Sequence, residues 1–298
     1  MRRGDATRSS RLADAATALA GVADGATIGV GGILTNGRPM ALVRELVRRG
    51  LRDLTVVAPV AALDLDVLIA GGCVRRVVTS YAGCEGLAGV APLFRRAVQD
   101  GTVEVWDADE AHCAQGLRAA AQRLPFLPWQ GGVGTDLPAA NPDLIEFRDP
   151  VGGRPLLAVP AIPLDVALIH AEAADRYGNV RFAGPGHMDP LLAAAAHRVV
   201  VQAERIVPND ELRRDPAATR YWRDTTVVRA VWGTHPYASA HLEADVDHLR
   251  GLAAAARAAA GGDRAELDDY VGRLARTPAG HVDYLEAIGI RRIAELVL

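Results

Sequence analysis

The stretch ATIGVGGILTNGRPMALVRELVRRG, residues 26–50, decides the fold class. It begins with a short apolar run, Ala26 to Val30, which predicts a buried strand. A glycine-rich turn follows. Pro39 to Arg49 then has the pattern of an amphipathic helix, with Gly50 just past its end. A strand that leads through glycines into a helix is the repeating unit of an α/β protein.

The same alternation extends on the C-terminal side of this stretch. We expect further strands at residues 54–58, 76–81, 103–107, 156–159, 166–170, 199–202 and 226–231. We expect further helices at residues 64–70, 92–99 and 109–122. Short apolar strands that alternate with amphipathic helices predict an α/β fold: an open, mainly parallel sheet with helices on both faces.

Two regions depart from this alternation. Residues 124–155 are rich in Pro, Gly, Asn and Asp, which predicts a loop-rich insertion over the edge of the sheet. After Ala240 the pattern is helical to the end of the chain, and it includes an alanine-rich run at 249–260. We therefore expect an α/β domain over residues 1–240 and a helical C-terminal extension over residues 241–298 that packs on it.

Composition excludes several classes of protein. The net charge of −3 is spread along the 298 residues, which argues against a nucleic-acid surface. No apolar run reaches the roughly 18 residues that a membrane span needs. The three cysteines are odd in number and lack CxxC spacing, which argues against a disulfide framework or a zinc knuckle. We expect a soluble cytoplasmic protein that binds neither nucleic acid nor membrane.

The chain contains no lysine, so all 33 basic residues are arginine. A P-loop needs a lysine on the nucleotide phosphates, and Schiff-base catalysis needs a lysine amine. Both of these classes are excluded on chemical grounds.

The glycine-rich turn of residues 29–32 is the first candidate site. Position 34 is a leucine, so the third glycine of the dinucleotide-binding pattern GxGxxG is missing. We expect the backbone N–H groups of Gly31 and Gly32 to form an oxyanion site, with Arg38 near an anionic group of the ligand. The alternative is a tight turn between a strand and a helix.

Three carboxylates, Asp107, Asp109 and Glu110, lie where a predicted strand passes into a helix. We expect repulsion among them to raise at least one pKa, whereas a helix N-terminus lowers the pKa of a residue in its first turn. One of them could therefore be a general base or a nucleophile toward an acyl group. The alternative is helix capping, with Asp109 as the N-cap and Glu110 next to the helix dipole.

Histidines follow several of the predicted strands. His170 and Glu172 share a face if their strand continues, so they could bind a ligand, and His187 lies at the tip of a rigid turn. His241, Asp245 and His248 lie one or two turns apart on a helix. Their spacing has no standard metal geometry, so we expect a solvated helix face and no metal site.

Several motifs, in this order along the chain, resemble the α subunit of family I CoA-transferases, particularly glutaconate CoA-transferase. They are Gly31-Gly32 with 38–43, 125–128, His170-Ala171 with Asp175 and Gly178-Asn179, 204–207, 233–236, and 281–285 with Gly289. The segment 109–128 also resembles the α subunit of a related hydrolase that opens the last rings of degraded steroids.

The resemblance implies a parallel α/β fold and assembly with a homologous β subunit, as α2β2. A coenzyme A thioester is then a substrate, and no cofactor is bound permanently. In the transferases the nucleophilic glutamate belongs to the β subunit, while this chain supplies the oxyanion region and part of the acyl pocket. Phe126 and His170 are then substrate-binding residues. In the hydrolase branch the corresponding glutamate is Glu110.

Three functions are consistent with the sequence. The first is the α subunit of a CoA-transferase, in which Glu110 and Asp109 assist catalysis. The second is the α subunit of a hydrolase that opens the ring of a cyclic β-keto acyl-CoA, with Glu110 as the base. The third is a non-catalytic module that binds an acyl-CoA or a sugar phosphate.

Overall fold

The computed structural model describes residues 9–184 and 186–298. The strands are β1 (Leu12–Ala13), β2 (Thr27–Val30), β3 (Leu54–Val57), β4 (Val60–Ala61), β5 (Val74–Thr79), β6 (Tyr81–Cys84), β7 (Gly89–Val90), β8 (Glu104–Asp107), β9 (Phe126–Trp129), β10 (Ile145–Arg148), β11 (Pro155–Pro160), β12 (Leu164–Ala174), β13 (Asn179–Arg181), β14 (Ala196–Ile206), β15 (Thr219–Tyr221) and β16 (Thr225–Arg229).

The helices are α1 (Ala15–Leu19), α2 (Met40–Arg48), α3 (Leu63–Ala70), α4 (Pro92–Gln99), α5 (Glu110–Ala121), α6 (Leu137–Ala140), α7 (Asp189–Ala195), α8 (Asn209–Arg213), α9 (Val246–Ala260), α10 (Ala265–Val271), α11 (His281–Ile288) and α12 (Ile290–Leu296). A π-helical turn, Gly272–Arg276, continues α10.

The central sheet has the strand order β1-β16-β14-β12-β2-β3-β5-β8, and every pair along this path is parallel. The two short strands β13 and β15 add an antiparallel extension beyond β12. The prediction of an open, mainly parallel sheet is therefore confirmed. The chain winds outward from β2 in one direction and from β12 in the other, so these two neighbours form the switch point of the sheet.

Successive side chains of each central strand enter different cores because a strand points alternate residues to opposite faces. Val56 packs in the larger core, with residues of α2, α3, α4 and α9. Its neighbour Val57 packs in a second core, with residues of α5 and α7. Helices cover both faces, as the sequence predicted.

The region 124–155 has more regular structure than the loop-rich insertion we expected. β9, β10 and β11 form a three-stranded antiparallel sheet in the order β10-β11-β9. Pro128 belongs to β9, an outer strand of this sheet, and Pro155 is the first residue of β11. A strand tolerates proline at such positions, so a proline-rich sequence can resemble a loop although its backbone is extended.

Two of the helices after residue 241, α9 and α10, share the larger core with the sheet. Leu249 and Leu252 of α9 are buried in the same cluster as Ile28 and Val56 of the central strands. Among the described residues, no helix combines the length and the apolar character that crossing a membrane requires. Cys73, Cys84 and Cys113 are all free and buried.

Truncating Leu252, which is 1% exposed, tests whether α9 belongs to the main core. Leu252→Ala should lower the free energy of unfolding by about 2–5 kcal/mol, because it removes buried contacts and leaves a cavity. Urea unfolding followed by circular dichroism measures this change. Val282→Ala, on a side chain that is 67% exposed, is the control and should change stability little. A Leu252→Ala effect no larger than that of the control would contradict a shared core.

Candidate functional site

A cavity of about 430 Å³ lies at the carboxyl edge of the sheet, beside the switch point between β2 and β12. Ligands of open α/β sheets bind at this place because the loops diverge there. Polar side chains of its wall belong to Asn36, His170, Glu172, His187, Asp189, Glu204, Ser239 and His241. We call this the switch-point cavity.

The glycine loop lies against this cavity, but its N–H groups already have partners. Gly31 donates to the Leu168 carbonyl at 2.9 Å, and Gly32 donates to Asp189 Oδ1 at 2.8 Å. A Cβ atom on Gly31 would lie 2.6 Å from Asp189 Oδ1, and Gly32 has a φ of +84°. The structure therefore corrects our expectation of free oxyanion donors here: these glycines make room for a buried carboxyl group.

Arg38 is fully buried and faces the interior of the protein. Its guanidinium donates to the carbonyls of Gly31 and Leu34 at 3.2 Å each and to the carbonyl of Val60. It also lies 3.4 Å from Asp64 Oδ2. The anionic partner we expected for Arg38 is thus an internal aspartate, and Arg38 holds the glycine loop in place.

Asp189, the first residue of α7, is a polar group of the cavity that the sequence analysis missed. It is 4% exposed, and burial raises its pKa to about 7, although the Gly32 hydrogen bond and the charge of Arg38 act in the opposite direction. Among the described residues, no hydrogen bond reaches its Oδ2 atom. The pair Asp189-Pro190 is a helix-start signal and could have located α7.

His170 lies in the wall of the cavity, as expected from its position on a continuing strand. It is 8% exposed, and burial lowers its pKa to about 3, with a further contribution from His241. Its Nδ1 atom is 3.1 Å from Gln202 Nε2, and its Nε2 atom is 3.6 Å from Glu204 Oε1. The imidazole is therefore neutral at physiological pH.

The two glutamates of the cavity are also held by neighbours. Glu204 is 4% exposed and accepts a hydrogen bond from Ser239 Oγ at 2.5 Å; burial raises its pKa. Glu172 lies 3.7 Å from both Arg181 and Arg205. Glu204 and Ser239 were not identified as site residues from the sequence, because they come from segments far apart in the chain.

Asp109 and Glu110 have different environments. Asp109 is the N-cap of α5, and its Oδ1 atom accepts from the backbone N–H of His112 at 2.9 Å. The same atom is 2.7 Å from the Nδ1 atom of His112, whose side chain is fully buried. Burial raises the pKa of Asp109, but the hydrogen bonds from His112 outweigh burial and leave this pKa below its usual value. Asp109 is therefore a helix cap, which was the alternative interpretation of the sequence.

Glu110 is half exposed, and its Oε1 atom lies 3.2 Å from Nε2 of His187. His187 belongs to the wall of the switch-point cavity, whereas Glu110 does not line it. The contact exists because α7 packs against α5 through the second core. His187 has a φ of +45°, which is uncommon for a non-glycine residue. Glu110 therefore reaches the cavity through His187.

Phe126 lies away from the cavity, in the three-stranded sheet of the insertion. It is 42% exposed, and its ring packs edge-on against Phe147 with 5.9 Å between centroids. The structure does not bring it together with His170 or the glycine loop, which differs from the substrate-binding position we expected.

The helix face that we expected to be solvated is instead part of a buried polar network. Asp245 is 2% exposed, and its oxygens accept from the guanidinium of Arg292 at 2.6 and 3.0 Å. Ligand atoms of His235, Asp245 and His248 lie within 4.8 Å of one another and could hold a metal ion. Because Arg292 already neutralises this carboxylate, the group is best described as a structural network. His241 lies apart from it, in the switch-point cavity.

Comparison with known proteins gives consistent results. The model of the coenzyme A transferase family matches residues 12–227. An uncharacterised protein of Archaeoglobus fulgidus is 37% identical over 72% of this chain and 48% of its own length. The IpdA subunit of the cholesterol ring-cleaving hydrolase of Rhodococcus jostii is 37% identical over 63% of this chain and 66% of its own length. This chain thus spans about half to two thirds of these relatives.

Among solved structures, glutaconate coenzyme A-transferase of Acidaminococcus fermentans superposes with a TM-score of 0.89 and 28% sequence identity. The superposition covers 97% of this chain and 96% of that one. The similarity therefore includes the insertion and the C-terminal helices as well as the central sheet.

The raised pKa of Asp189 predicts how stability depends on pH. As pH rises from 3.8 toward 7, the unfolded chain loses this proton and the folded chain keeps it, so stability falls. Asp189→Asn should remove this contribution, which is at most about 1.4 kcal/mol per pH unit, because asparagine is neutral and still accepts from Gly32. Urea unfolding of both proteins at about pH 4.5 and about pH 7 measures it. Parallel pH profiles would contradict the protonated Asp189.

Proposed function

Because the chain belongs to the coenzyme A transferase family, we propose that it is the α subunit of an enzyme that transfers coenzyme A between carboxylic acids. Its substrate is an acyl-CoA thioester, bound in the switch-point cavity, and the enzyme needs no permanently bound cofactor. Asp109 and Glu110 lie outside the cavity wall and assist catalysis from there.

One observation carries the assignment: every carboxyl group in the cavity wall already has a partner within the chain. Glu172 lies beside arginines, Asp189 accepts from Gly32, and Glu204 accepts from Ser239. A carboxylate that is to attack a thioester must be free to approach the carbonyl carbon. We infer that this nucleophile comes from a partner chain and that this chain supplies the binding surface and a hydrogen-bond donor, His170.

The proposed chemistry has four covalent steps. The partner's carboxylate attacks the thioester carbonyl to form a tetrahedral intermediate, and its C–S bond then breaks, which releases coenzyme A as a thiolate and leaves a mixed anhydride. The thiolate then attacks the partner's carbonyl, which gives an enzyme thioester and releases the first carboxylic acid. A second carboxylate acceptor repeats the two steps in reverse and leaves as the new acyl-CoA. Each tetrahedral intermediate places negative charge on an oxygen, where a fixed donor stabilises it.

We propose that the partner is a homologous β subunit and that the assembly is an α2β2 complex in the cytoplasm. The name of the Rhodococcus relative, which describes it as a subunit, supports an obligate partner. The small sheet of the insertion exposes Phe126 by 42% and Ile145 by 63%. Apolar side chains exposed this way support a face that a partner covers.

A second candidate is the ring-opening hydrolysis of a cyclic β-keto acyl-CoA. The contact between Glu110 and His187 favours it, because a carboxylate beside a histidine in a cavity wall is an arrangement for general-base chemistry on water. The identity to the Rhodococcus ring-cleaving subunit points in the same direction. In this candidate the base is Glu110, acting through His187.

Purification with the chain encoded beside it tests the transferase assignment. We expect the two chains to co-purify and to convert an acyl-CoA plus a different carboxylate into a new acyl-CoA, measured by liquid chromatography. Mass spectrometry after incubation with acyl-CoA alone should find coenzyme A attached as a thioester to the partner. Full transfer activity of this chain by itself, or the thioester on this chain, would contradict the assignment.

Glu110→Gln distinguishes the two candidates because it removes a proton acceptor at nearly constant size. If the complex is a transferase, turnover should fall by less than about tenfold. If Glu110 is the base of a hydrolase, turnover should fall by roughly 10²-fold or more, with little change in the melting temperature. The control is Glu104→Gln, the same substitution in an exposed ion pair with Arg75. Its turnover should equal that of the wild type.

A further inference from the structure

The surroundings of His170 contain a second buried polar residue, Gln202, for which no role has been assigned. The two residues face each other in register on the neighbouring parallel strands β12 and β14. Gln202 has no exposed surface, and its Nε2 atom lies 3.1 Å from Nδ1 of His170. A buried amide next to a buried imidazole must satisfy its hydrogen bonds in a definite way.

The orientation of the Gln202 amide follows from its other neighbour. The backbone N–H of Ala41, in the first turn of α2, is shared between the Gly233 carbonyl at 3.0 Å and the Gln202 side chain at 3.1 Å. A backbone N–H can only donate, so the amide atom it meets is the oxygen, Oε1. The amide nitrogen therefore faces His170, and Gln202 donates to Nδ1.

This donation determines where His170 carries its proton. An Nδ1 atom that accepts a hydrogen bond has no proton of its own, so a neutral ring is protonated on Nε2. The Nε2 atom lies 3.6 Å from Glu204 Oε1, and both residues belong to the wall of the switch-point cavity. His170 thereby carries its N–H on the Glu204 side of the ring, and the Gln202 amide sets that orientation.

We propose that Gln202 is a positioning residue that locks His170 in its Nε2–H tautomer, so that His170 donates to the thioester carbonyl oxygen as negative charge develops there. The role in catalysis rests on the proposed acyl-CoA chemistry. The tautomer lock itself does not, because it depends only on contacts within the chain.

Three other candidate donors near the cavity already have partners, which supports this assignment. The N–H groups of Gly31 and Gly32 and the guanidinium of Arg38 are all engaged inside the protein. Burial keeps the pKa of His170 at about 3, so the ring stays neutral and does not lose its donor when pH changes. A neutral histidine with a fixed tautomer can polarise a carbonyl without the cost of burying a charge.

The first experiment measures the tautomer by ¹⁵N nuclear magnetic resonance of histidine-labelled protein, purified with its partner. The signal of His170 is assigned by its loss in His170→Gln. We expect an unprotonated Nδ1 and a protonated Nε2 in the wild type. A wild-type His170 protonated on Nδ1, or on both nitrogens near neutral pH, would overturn the lock whatever reaction the complex catalyses.

The second experiment measures the catalytic consequence with a double-mutant cycle. Gln202→Met keeps the length of the side chain but removes the donor, and we expect kcat to fall by at least about tenfold with KM nearly unchanged. His170→Gln keeps an N–H near the position of Nε2 without needing a tautomer. In the His170→Gln protein, Gln202→Met should have little further effect on kcat, because the imidazole that Gln202 orients is already absent.

Gln130→Glu and Gln130→Met, at an exposed loop position, are controls for expression and handling and should match the wild type. Additive effects of His170→Gln and Gln202→Met on kcat would overturn the positioning role. So would a Gln202→Met protein that melts at a lower temperature but keeps the wild-type kcat, since that result shows a purely structural glutamine. If His170 has the expected tautomer but the effects of the two substitutions on kcat are additive, the tautomer lock stands and its role in acyl-CoA chemistry is refuted.

Discussion

The burial of the Arg38 guanidinium is the constraint on which the carboxyl edge of the sheet depends. A buried cation needs partners for all of its donors, because its desolvation is otherwise uncompensated. Arg38 makes four hydrogen bonds, to the carbonyls of Gly31, Leu34 and Val60 and to the carboxylate of Asp64. These groups belong to the glycine loop and to the segment around β4 and α3. One side chain therefore fixes the relative positions of the loops beside the switch point.

Internal hydrogen bonds also determine which groups of the switch-point cavity are available for chemistry. The loop that looks free in the sequence is saturated by internal contacts, and the carboxyl groups of the wall are held by arginines, a serine or a glycine N–H. What remains available to a ligand is a small number of groups in fixed orientations, His170 above all. We propose on this ground that the site binds and polarises a carbonyl and depends on a second chain for its nucleophile.

The sequence predicted the layered α/β architecture well because that architecture follows from local patterns. Pro92–Gln99 was predicted with the bounds that the structure has, since Pro92 marks the helix start. The site was predicted less completely. His170 was found because it ends a strongly apolar run, whereas Asp189 and Gln202 owe their roles to partners far along the chain. Arg38 was assigned to a ligand because the sequence does not show that Asp64 lies beside it.

The winding of the sheet also has a consequence for how the chain folds. The walls of the switch-point cavity come from the loop after β2, from β12, from β14 and from the segment around Ser239, which are widely separated in sequence. Parallel pairing of distant strands requires closure of long loops before any contact compensates for the lost entropy. The strands β3, β5 and β8 on one side, and β14 and β16 on the other, can form from neighbouring segments, whereas β1 pairs with β16 from the other end of the chain. We therefore expect the cavity to close late in folding, and a chain still being synthesised cannot complete the acyl-CoA site that we propose there before β14 and Ser239 have emerged.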